Sequence, residues 1–562
     1  MRLSLPHHHV LQVSAAFVAA CGALACTPQQ VFIEKPCPPV EYPVVNAPLP
    51  AVSPSDAAAH RTLDLHLAPT RDDAGQIAAI DVTMRFSVPP VDFGETNPIV
   101  LHFASRSATA AMADRIEDLA ARDSEGSLAL RRVAAAESSK PGAIEWRSER
   151  RARGPVTVNY RFELPPADAA PDEFATSAAG ILGIGRALFL LPSTTESHTI
   201  RIRWDLQALG SDARGFSTFG TEEAVVEEPP SALEGAIWAA GSLHAIAIIS
   251  TPANTPPGVR FRWITLGKSP FDVLDVAPWA NRAWLSARTV ASDNPELQFD
   301  LFVRPTGKTG QRFDVGVFGR SAIATVDNES TFGWPEKLSV TRAFIRSARG
   351  PNLMNVRWFD EGFATYNALE TLRRSSLASP ADIASELAKR AERYFASPWL
   401  RTALATLEAK GNTTAIEHAD DRGMLYAAEL DAKIRASSSG KRSLEDFLRM
   451  VAQQTPTDAA SGPQSTGVGA TTFRTLLEKE LGAEAVSRFA DVIEKASATV
   501  NIPDDAFGPC FKKVKKKIQR EEGESKKRES VDGFTWSLVP KLPPSCANAT
   551  STPQVGGLQK TP

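Results

Sequence analysis

Residues 357–366 read RWFDEGFATY and are the most informative segment of the chain. It lies in the part of the chain after Glu336, where apolar residues recur mainly at helical spacing. Glu361 stands at its centre, among aromatic side chains. A carboxylate that is buried in such surroundings needs either a metal ion or a charged partner. The residues around Glu361 therefore determine both the fold and the chemistry to be expected.

Length and composition are those of an ordinary globular protein. The 562 residues are 43% hydrophobic and 23% charged, which excludes wholesale disorder, collagen and coiled coil. At about 150 residues per domain, the length predicts three or four domains. The 62 basic and 65 acidic side chains leave a net charge of −3. No global field or basic groove favours nucleic acid, so we expect no nucleic-acid partner.

The N-terminal residues have the pattern of an export signal. Arg2 precedes an apolar run at residues 10–25, which is short for a membrane-spanning helix of about 20 residues. The sequences VAAC and ALAC, which end at Cys21 and Cys26, resemble bacterial lipoboxes. We predict a lipoprotein-type signal over residues 1–26, with lipidation at Cys21 or Cys26; a plain cleaved signal is the alternative. The expected location is the bacterial cell envelope, with the protein lipid-anchored to a membrane and facing the periplasm or the cell surface.

Two further segments flank the body of the protein. Residues 27–58 are rich in proline, which favours extended conformations and predicts a tether that holds the body away from the bilayer. Residues 501–562 form a charged C-terminal tail, which we expect to be a solvated helix or loop. Cys510 and Cys546 flank part of this tail, and an exported chain meets oxidising conditions. A disulfide between them is one of the pairings open to three cysteines, the third being Cys37.

The first half of the body is predicted to be a β-sandwich over residues 59–229. Alternating runs at residues 63–67, 156–162 and 200–204 have the period of half-buried strands. A helical interruption is predicted near residues 108–122. Pro- and Gly-rich breaks separate the runs.

The second half, residues 230–500, combines strands with helices. Buried strands are predicted at residues 243–249 and 299–304. Ser379 and Pro380 form an N-cap and a first-turn proline, which predicts a helix start. A second helix is predicted after Ser443, with an inner apolar stripe at Leu444, Phe447, Leu448 and Val451.

Two motifs in this half carry a family resemblance. WFDEGFATY, ending at Tyr366, resembles the second zinc-site helix of gluzincin metallopeptidases, where a Trp-x-x-Glu-Gly-x-(Ala/Thr)-x-Tyr run supplies a glutamate ligand. Residues 423–435 (GMLYAAELDAKIR) and 440–447 (GKRSLEDF) resemble the helical region of the glycyl aminopeptidase branch. The resemblance covers residues 61–496. It implies a multidomain α+β protein: an N-terminal β-sandwich followed by a thermolysin-like α/β plus helical gluzincin-type domain.

The zinc machinery of that family is not matched. Such a site needs a His-Glu-x-x-His helix, with its glutamate as general base, and a third ligand about eighteen residues later. Counting back from Glu361 places Leu338 and Arg342 at the histidine positions and Ser339 at the base, and no His-Glu-x-x-His occurs anywhere in the chain. Asp420 stands where the family has a tyrosine in a Tyr-x-Lys-Gly turn. The tail also leaves no room for the family's PDZ-like C-terminal domain. We therefore expect no catalytic residues and no metal cofactor, with Glu361 as the remnant of a ligand set.

Two hypotheses follow for Glu361 and three for function. Arg342 is expected to pair with Glu361, replacing a metal by an ion pair; the alternative is a partly exposed, solvated Glu361. The favoured function is a pseudopeptidase that binds a peptide or an envelope protein, or serves as a scaffold. One alternative is an active zinc metallopeptidase with displaced ligands or another mechanism. The other is a purely structural envelope protein.

Overall fold

The computed structural model describes residues 61–87, 98–103, 112–133, 144–165, 174–249, 260–291, 298–349, 356–410, 412–454, 466–522 and 527–547. The predicted signal at residues 1–26, with Cys21 and Cys26, and the predicted tether at residues 27–58 lie outside these ranges. Within them, no helix is both long and apolar enough to cross a membrane.

The first part of the chain forms three β-sheets. Its strands are β1 (Thr62–Arg71), β2 (Ile77–Phe86), β3 (Val100–Phe103), β4 (Ile116–Asp123), β5 (Gly126–Ser127), β6 (Leu130–Arg132), β7 (Ile144–Ser148), β8 (Val156–Glu163), β9 (Phe174–Ser177), β10 (Gly180–Ile184), β11 (Leu191–Pro192), β12 (His198–Trp204), β13 (Arg214–Ser217), β14 (Gly220–Thr221), β15 (Glu223–Glu228) and β16 (Ile237–Gly241). The sheet orders are β15-β12-β1-β2-β8-β4-β5, β14-β13-β16-β10-β9 and β11-β3-β7-β6. Short 3₁₀ turns lie at Gly185–Ala187, Gln207–Leu209 and Pro230–Gly235.

These sheets share one core, as expected of a sandwich. Alternate residues of β1 point inward, so that Leu65 lies opposite Met84 of antiparallel β2 and Ile202 of parallel β12. Leu101 of the four-stranded sheet and Ile181 of the five-stranded sheet join the same buried cluster. The strands predicted at residues 63–67, 156–162 and 200–204 are confirmed.

The helix predicted near residues 108–122 is wrong over its second part. Residues Ile116–Asp123 form β4, which pairs antiparallel with β8 and places Ile116 opposite Phe162. The alanines of this segment suit a helix by propensity, but pairing with the edge of a large sheet overrides that preference. Asp118 has a φ of 52°, and the register shifts between Glu117 and Ala120, so a bulge hides the alternation that marks a strand.

A mixed sheet links the two halves of the body. Its strands are β17 (Leu243–Ile249), β18 (Arg260–Leu266), β19 (Phe299–Pro305), β20 (Phe313–Phe318) and β21 (Ser321–Val326), in the order β17-β18-β19-β21-β20. β18, β19 and β21 are parallel to one another, and the outer strands are antiparallel. The strands predicted at residues 243–249 and 299–304 are confirmed.

Each face of this sheet contributes to a different core. Ile264 and Phe302 belong to the cluster of the β-sandwich, whereas their neighbours Trp263 and Leu301 pack into the core of the helices. The period of two in a strand explains this division.

The helical part follows the sheet. The helices are α1 (Val273–Ala291), α2 (Trp334–Arg349), α3 (Ala364–Arg374), α4 (Pro380–Ala396), α5 (Leu404–Lys410), α6 (Thr413–Ser437), α7 (Leu444–Gln454), α8 (Thr466–Leu481), α9 (Ala483–Phe489) and α10 (Pro544–Ala547). A π-helical turn at Trp358–Phe363, here called the π-turn, leads directly into α3, and another at Ala490–Glu494 follows α9.

The predicted helix starts are confirmed. Ser379 caps α4 in a capping box with Asp382, and Pro380 occupies its first turn. The predicted inner stripe of α7 is buried.

The prediction of a solvated helix or loop for the tail is wrong. β22 (Phe511–Glu522) and β23 (Lys527–Leu538) form an antiparallel hairpin that packs on α4, with the Phe395 and Phe534 rings 4.9 Å apart. A disulfide joins Cys510 to Cys546. The lysine-rich sequence of β22 does not alternate apolar and polar residues, because few of its side chains are buried. The contacts that stabilise the hairpin come from β23 and α4.

Candidate functional site

The site is built on three helical elements, of which α2 is the first. Arg342, Arg346 and Arg349 are four and three residues apart, which places them along one side of α2. Other residues of the helix, among them Val340 and Phe344, are fully buried in the core. The apolar residues fix the rotation of the helix, and this rotation directs the arginines toward the π-turn.

The second element is the π-turn, which carries Asp360 and Glu361. Its aromatic residues Trp358, Phe359 and Phe363 are buried and contact one another edge-on or tilted, with centroids 4.8–5.7 Å apart. This anchoring leaves Glu361 directed at α2. π-Helical turns within helices occur frequently at functional sites.

The third element, α6, approaches the π-turn through glycine. A Cβ atom on Gly423 would lie 1.9 Å from the carbonyl oxygen of Trp358, and one on Gly362 would lie 2.7 Å from the Cα of Gly423. Only two glycines allow the backbones to come so close. The contact brings Asp420, one turn before Gly423, to the same site.

Glu361 has a guanidinium on each of its oxygens. Oε2 accepts a hydrogen bond from Nη2 of Arg342, and Oε1 lies 2.8 Å from Nη1 of Arg346. Arg346 also binds Asp360, with 2.7 Å between Nη2 and Oδ2. The Glu361 side chain is 13% exposed. The predicted pair with Arg342 is therefore present, and Glu361 is not the solvated carboxylate of the alternative.

The electrostatics of the two acids differ. Burial acts to raise the pKa of Glu361, but the charges of Arg342 and Arg346 outweigh it and hold the pKa below its usual value. Burial also raises the pKa of Asp420, to about 6, because Arg357 compensates only in part and the charge of Glu361 opposes ionisation. Asp420 Oδ2 lies 3.1 Å from Nη2 of Arg357, and its buried Oδ1 has no hydrogen-bond partner among the residues described.

The remaining predicted site positions are structural. Leu338 is buried in the helical core, and Ser339 is half-buried on the next position of α2. His418, close in sequence to Asp420, is stacked on Tyr394 and bonded to Arg422, and burial holds its pKa well below the usual value. It takes no part in the cluster around Glu361.

These residues do not fit a catalytic zinc ion. Such an ion takes three protein ligands and keeps one position open. In the part of the chain that the structure describes, no three His, Cys, Asp or Glu side chains are grouped to hold a metal. Glu361, the one residue at a ligand position able to bind zinc, has both oxygens engaged by arginine. Arg342 brings positive charge to the position where the family has a ligand.

Sequence reasoning identified Glu361, Arg342 and Asp420 but missed three arginines. Arg346 and Arg349 share the side of α2 on which Arg342 lies, and their spacing was a readable signal. Arg357 is the first residue of the segment 357–366. Its pairing with Asp420 depends on the close approach of α6, which no sequence pattern predicts.

The comparisons with known proteins identify the fold. No protein-family model and no curated protein matches the sequence. An aminopeptidase N family protein from Idiomarina loihiensis is similar over 81% of this chain and 79% of its own, with 13% identity and a TM-score of 0.61. A mutant M1 zinc metallopeptidase from Deinococcus radiodurans, bound to a Tyr-Ser-Ala substrate, matches 79% of this chain and 95% of its own, with 15% identity and a TM-score of 0.48. Yeast LTA4 hydrolase matches 81% of this chain and 71% of its own, with 12% identity and a TM-score of 0.45.

The similarity to the Idiomarina loihiensis protein, with a TM-score of 0.61, identifies the architecture of this chain. Together with the element order described above, it confirms the predicted α+β arrangement of a β-sandwich followed by α/β and helical parts. The chain has the fold of an aminopeptidase N family protein.

Proposed function

We propose that this protein is a catalytically inactive pseudopeptidase whose cleft at Glu361 binds a peptide or an envelope protein, or serves as a scaffold. The observation that carries the proposal is the pairing of both Glu361 oxygens with Arg342 and Arg346. A carboxylate engaged in this way is withdrawn from metal binding.

The energetics support this proposal. Freeing Glu361 for a metal would break a largely buried ion pair, and removing one partner from such a pair costs about 3–5 kcal/mol. A divalent cation would also approach the guanidinium groups of Arg342 and Arg346, because arginine stays protonated at any physiological pH. Both effects act against zinc at this position.

The residues at two other catalytic positions of the family, Ser339 and Asp420, also argue against zinc-dependent catalysis. Ser339, at the position of the general base, carries a neutral hydroxyl, whose oxygen is far too weak a base to take a proton from water. Asp420, at the position of the tyrosine, has its pKa raised to about 6 by burial. At neutral pH it is mostly ionised, so it holds no proton to donate as a phenol does.

Polar groups around Glu361 are partly exposed, so a ligand can contact them. Arg342 and Arg346 are each 24% exposed, and Arg357 is 48% exposed. These groups are anchored by ion pairs, so they present fixed donors rather than mobile side chains. A peptide- or protein-binding surface uses such donors for orientation and specificity.

The proposal includes export and a lipid anchor at Cys21 or Cys26. The disulfide between Cys510 and Cys546 supports an oxidising compartment, since disulfides persist mainly in exported proteins. Intact-mass spectrometry of the protein made in a bacterial host tests the anchor. Acylation lost in Cys21→Ala or in Cys26→Ala, but not in both, identifies the residue, and an unmodified mature chain refutes the anchor.

The test of inactivity is hydrolysis of a panel of aminoacyl-coumarin amides by the purified full chain, with and without added zinc. We expect the wild type to show no zinc-dependent turnover above that of the Glu361→Gln variant. Zinc-dependent hydrolysis that disappears in Glu361→Gln would establish the active metallopeptidase instead. Glu392→Gln, at an exposed pair with Lys516, serves as the matched control for the substitution itself.

A further inference from the structure

The arginine cluster around Glu361 has more positive than negative groups. The group of charged side chains around Glu361 has four guanidinium groups and three carboxylates: Arg342, Arg346, Arg349 and Arg357 against Asp360, Glu361 and Asp420. Glu445 acts on the same cluster from α7, but it is paired with Arg374 at 2.9 Å. The site therefore has an excess positive charge.

Arg349 lies behind the others. It donates to the carbonyl oxygen of Phe363 at 3.1 Å and lies 5.8 Å from the centre of the Phe359 ring. Its buried Nη1 has no hydrogen-bond partner among the described residues. Burial lowers the pKa of Arg349 to about 10, so the group stays charged at neutral pH without a carboxylate of its own.

Further polar atoms of the cluster are unsatisfied. The buried Nε atoms of Arg342 and Arg346 lack partners within the described part of the chain, as does Oδ1 of Asp420. Buried donors without partners are rare in native proteins, and an ordered water molecule or a bound ion is one explanation for them. An arrangement rich in unused donors and in positive charge suits an anion.

Arg357 is the group that a ligand reaches first. Its side chain is 48% exposed, and within the described part of the chain its one ion pair joins Nη2 to a single oxygen of Asp420. Guanidinium has five donors in a planar fork that fits a carboxylate with two parallel hydrogen bonds. Arg357 therefore has donors left for a second carboxylate.

We propose that this arginine cluster binds the carboxylate of a peptide, so that the cleft recognises an anion at the place where the related peptidases hold a metal. The inference rests on the proposed peptide-binding function and names the chemistry that the ligand must carry. A peptide supplies a carboxylate either from its C-terminus or from an acidic side chain. The shared chemistry is the same, and the experiment separates the two sources.

The test uses three pools of N-acetylated hexapeptides, passed over the immobilised full chain and measured by mass spectrometry. The first pool lacks Asp and Glu and has a free C-terminus, the second is its C-terminal amide, and the third is an amide that contains Asp and Glu. Retention of the first pool over the second supports recognition of the C-terminal carboxylate. Retention of the third over the second supports recognition of an acidic side chain.

Two outcomes overturn the inference, and they are distinguishable. Equal retention of all three pools shows peptide binding without anion recognition, which refutes the inference and leaves the proposed function standing. Retention of none refutes peptide binding itself, and the inference with it.

A variant then locates the site for a peptide recovered from the retained pool. Arg357→Gln is expected to weaken binding about tenfold, as the loss of a hydrogen bond to a charged group does. The matched control is Arg161→Gln, which breaks an exposed pair with Asp81 in the β-sandwich and should leave the affinity unchanged. Because Arg357 is nearly half exposed, its variant should fold; circular dichroism verifies this. Unchanged affinity in folded Arg357→Gln refutes the placement of the site.

Discussion

Replacing Glu361 with glutamine removes the negative charge that two arginines share and keeps the size of the side chain. Arg342 then loses its carboxylate partner, whereas Arg346 keeps Asp360 at 2.7 Å. Leaving one member of a buried pair without its partner costs about 3–5 kcal/mol. Because Arg342 and Arg346 are each 24% exposed and water reaches them, we expect a loss of about 2–3 kcal/mol in the free energy of unfolding.

The assay is urea denaturation at pH 7.5, followed by the fluorescence of the ten tryptophans, one of which, Trp358, lies in the π-turn that carries Glu361. A double-mutant cycle with Arg342→Met isolates the pairwise interaction. Charged neighbours of this kind couple by about 1–2 kcal/mol. The control Glu392→Gln, at an exposed pair with Lys516, should change the free energy of unfolding by less than about 0.5 kcal/mol. A Glu361→Gln variant as stable as wild type, or a cycle that is simply additive, would show that Glu361 and Arg342 do not stabilise each other.

Three further predictions concern the rest of the site and the tail. Gly423→Ala should destabilise the protein by more than about 3 kcal/mol or prevent soluble expression, because the new Cβ would lie 1.9 Å from the Trp358 carbonyl oxygen; thermal unfolding measures this. Asp420 has a pKa near 3.8 when unfolded and about 6 when folded, so its contribution to stability is present below about pH 4 and is lost as the pH rises through 6. Asp420→Asn should remove this pH dependence and be more stable than wild type by up to about 3 kcal/mol at pH 7.5. Replacing Cys510 and Cys546 by serine should cost about 2–4 kcal/mol, given a sequence separation of 36, and reductant should have the same effect on the wild type.

Each of these predictions has a control and a contrary outcome. Gly235→Ala places a Cβ in open space and should be neutral, so an equal loss at Gly235 and Gly423 would contradict the steric argument. A pH profile that Asp420→Asn leaves unchanged between pH 4 and 7 would assign the dependence to other groups. If reductant does not affect the unfolding midpoint, the disulfide does not stabilise the hairpin.

Local periodicity made much of the fold predictable. In strands such as β1, which contains Leu65, apolar and polar residues alternate because one face of the strand is buried against a second sheet. The start of α4 was readable because Ser379 and Pro380 act on their own local backbone. The elements that were mispredicted depend on distant partners: β4 is held by β8 through a bulge, and the lysine-rich β22 is held by β23 and α4.

The site divides in the same way. Counting along the motif located Glu361 and Arg342, since a helix repeats its spacing regardless of tertiary context. Arg357 meets Asp420 only because Gly362 and Gly423 let two helical backbones touch, and this is a property of packing. The lack of a His-Glu-x-x-His motif was therefore visible in the sequence, whereas the full arginine cluster around Glu361 needed the structure.

We propose that arginine has taken the place of zinc at Glu361. The most direct measurement is the zinc content of the purified full chain, by mass spectrometry of the elements, after incubation with zinc and gel filtration. We expect far less than one zinc per chain in the wild type, and the same residual amount in Glu361→Gln. One equivalent of zinc in the wild type that is lost in Glu361→Gln would contradict it.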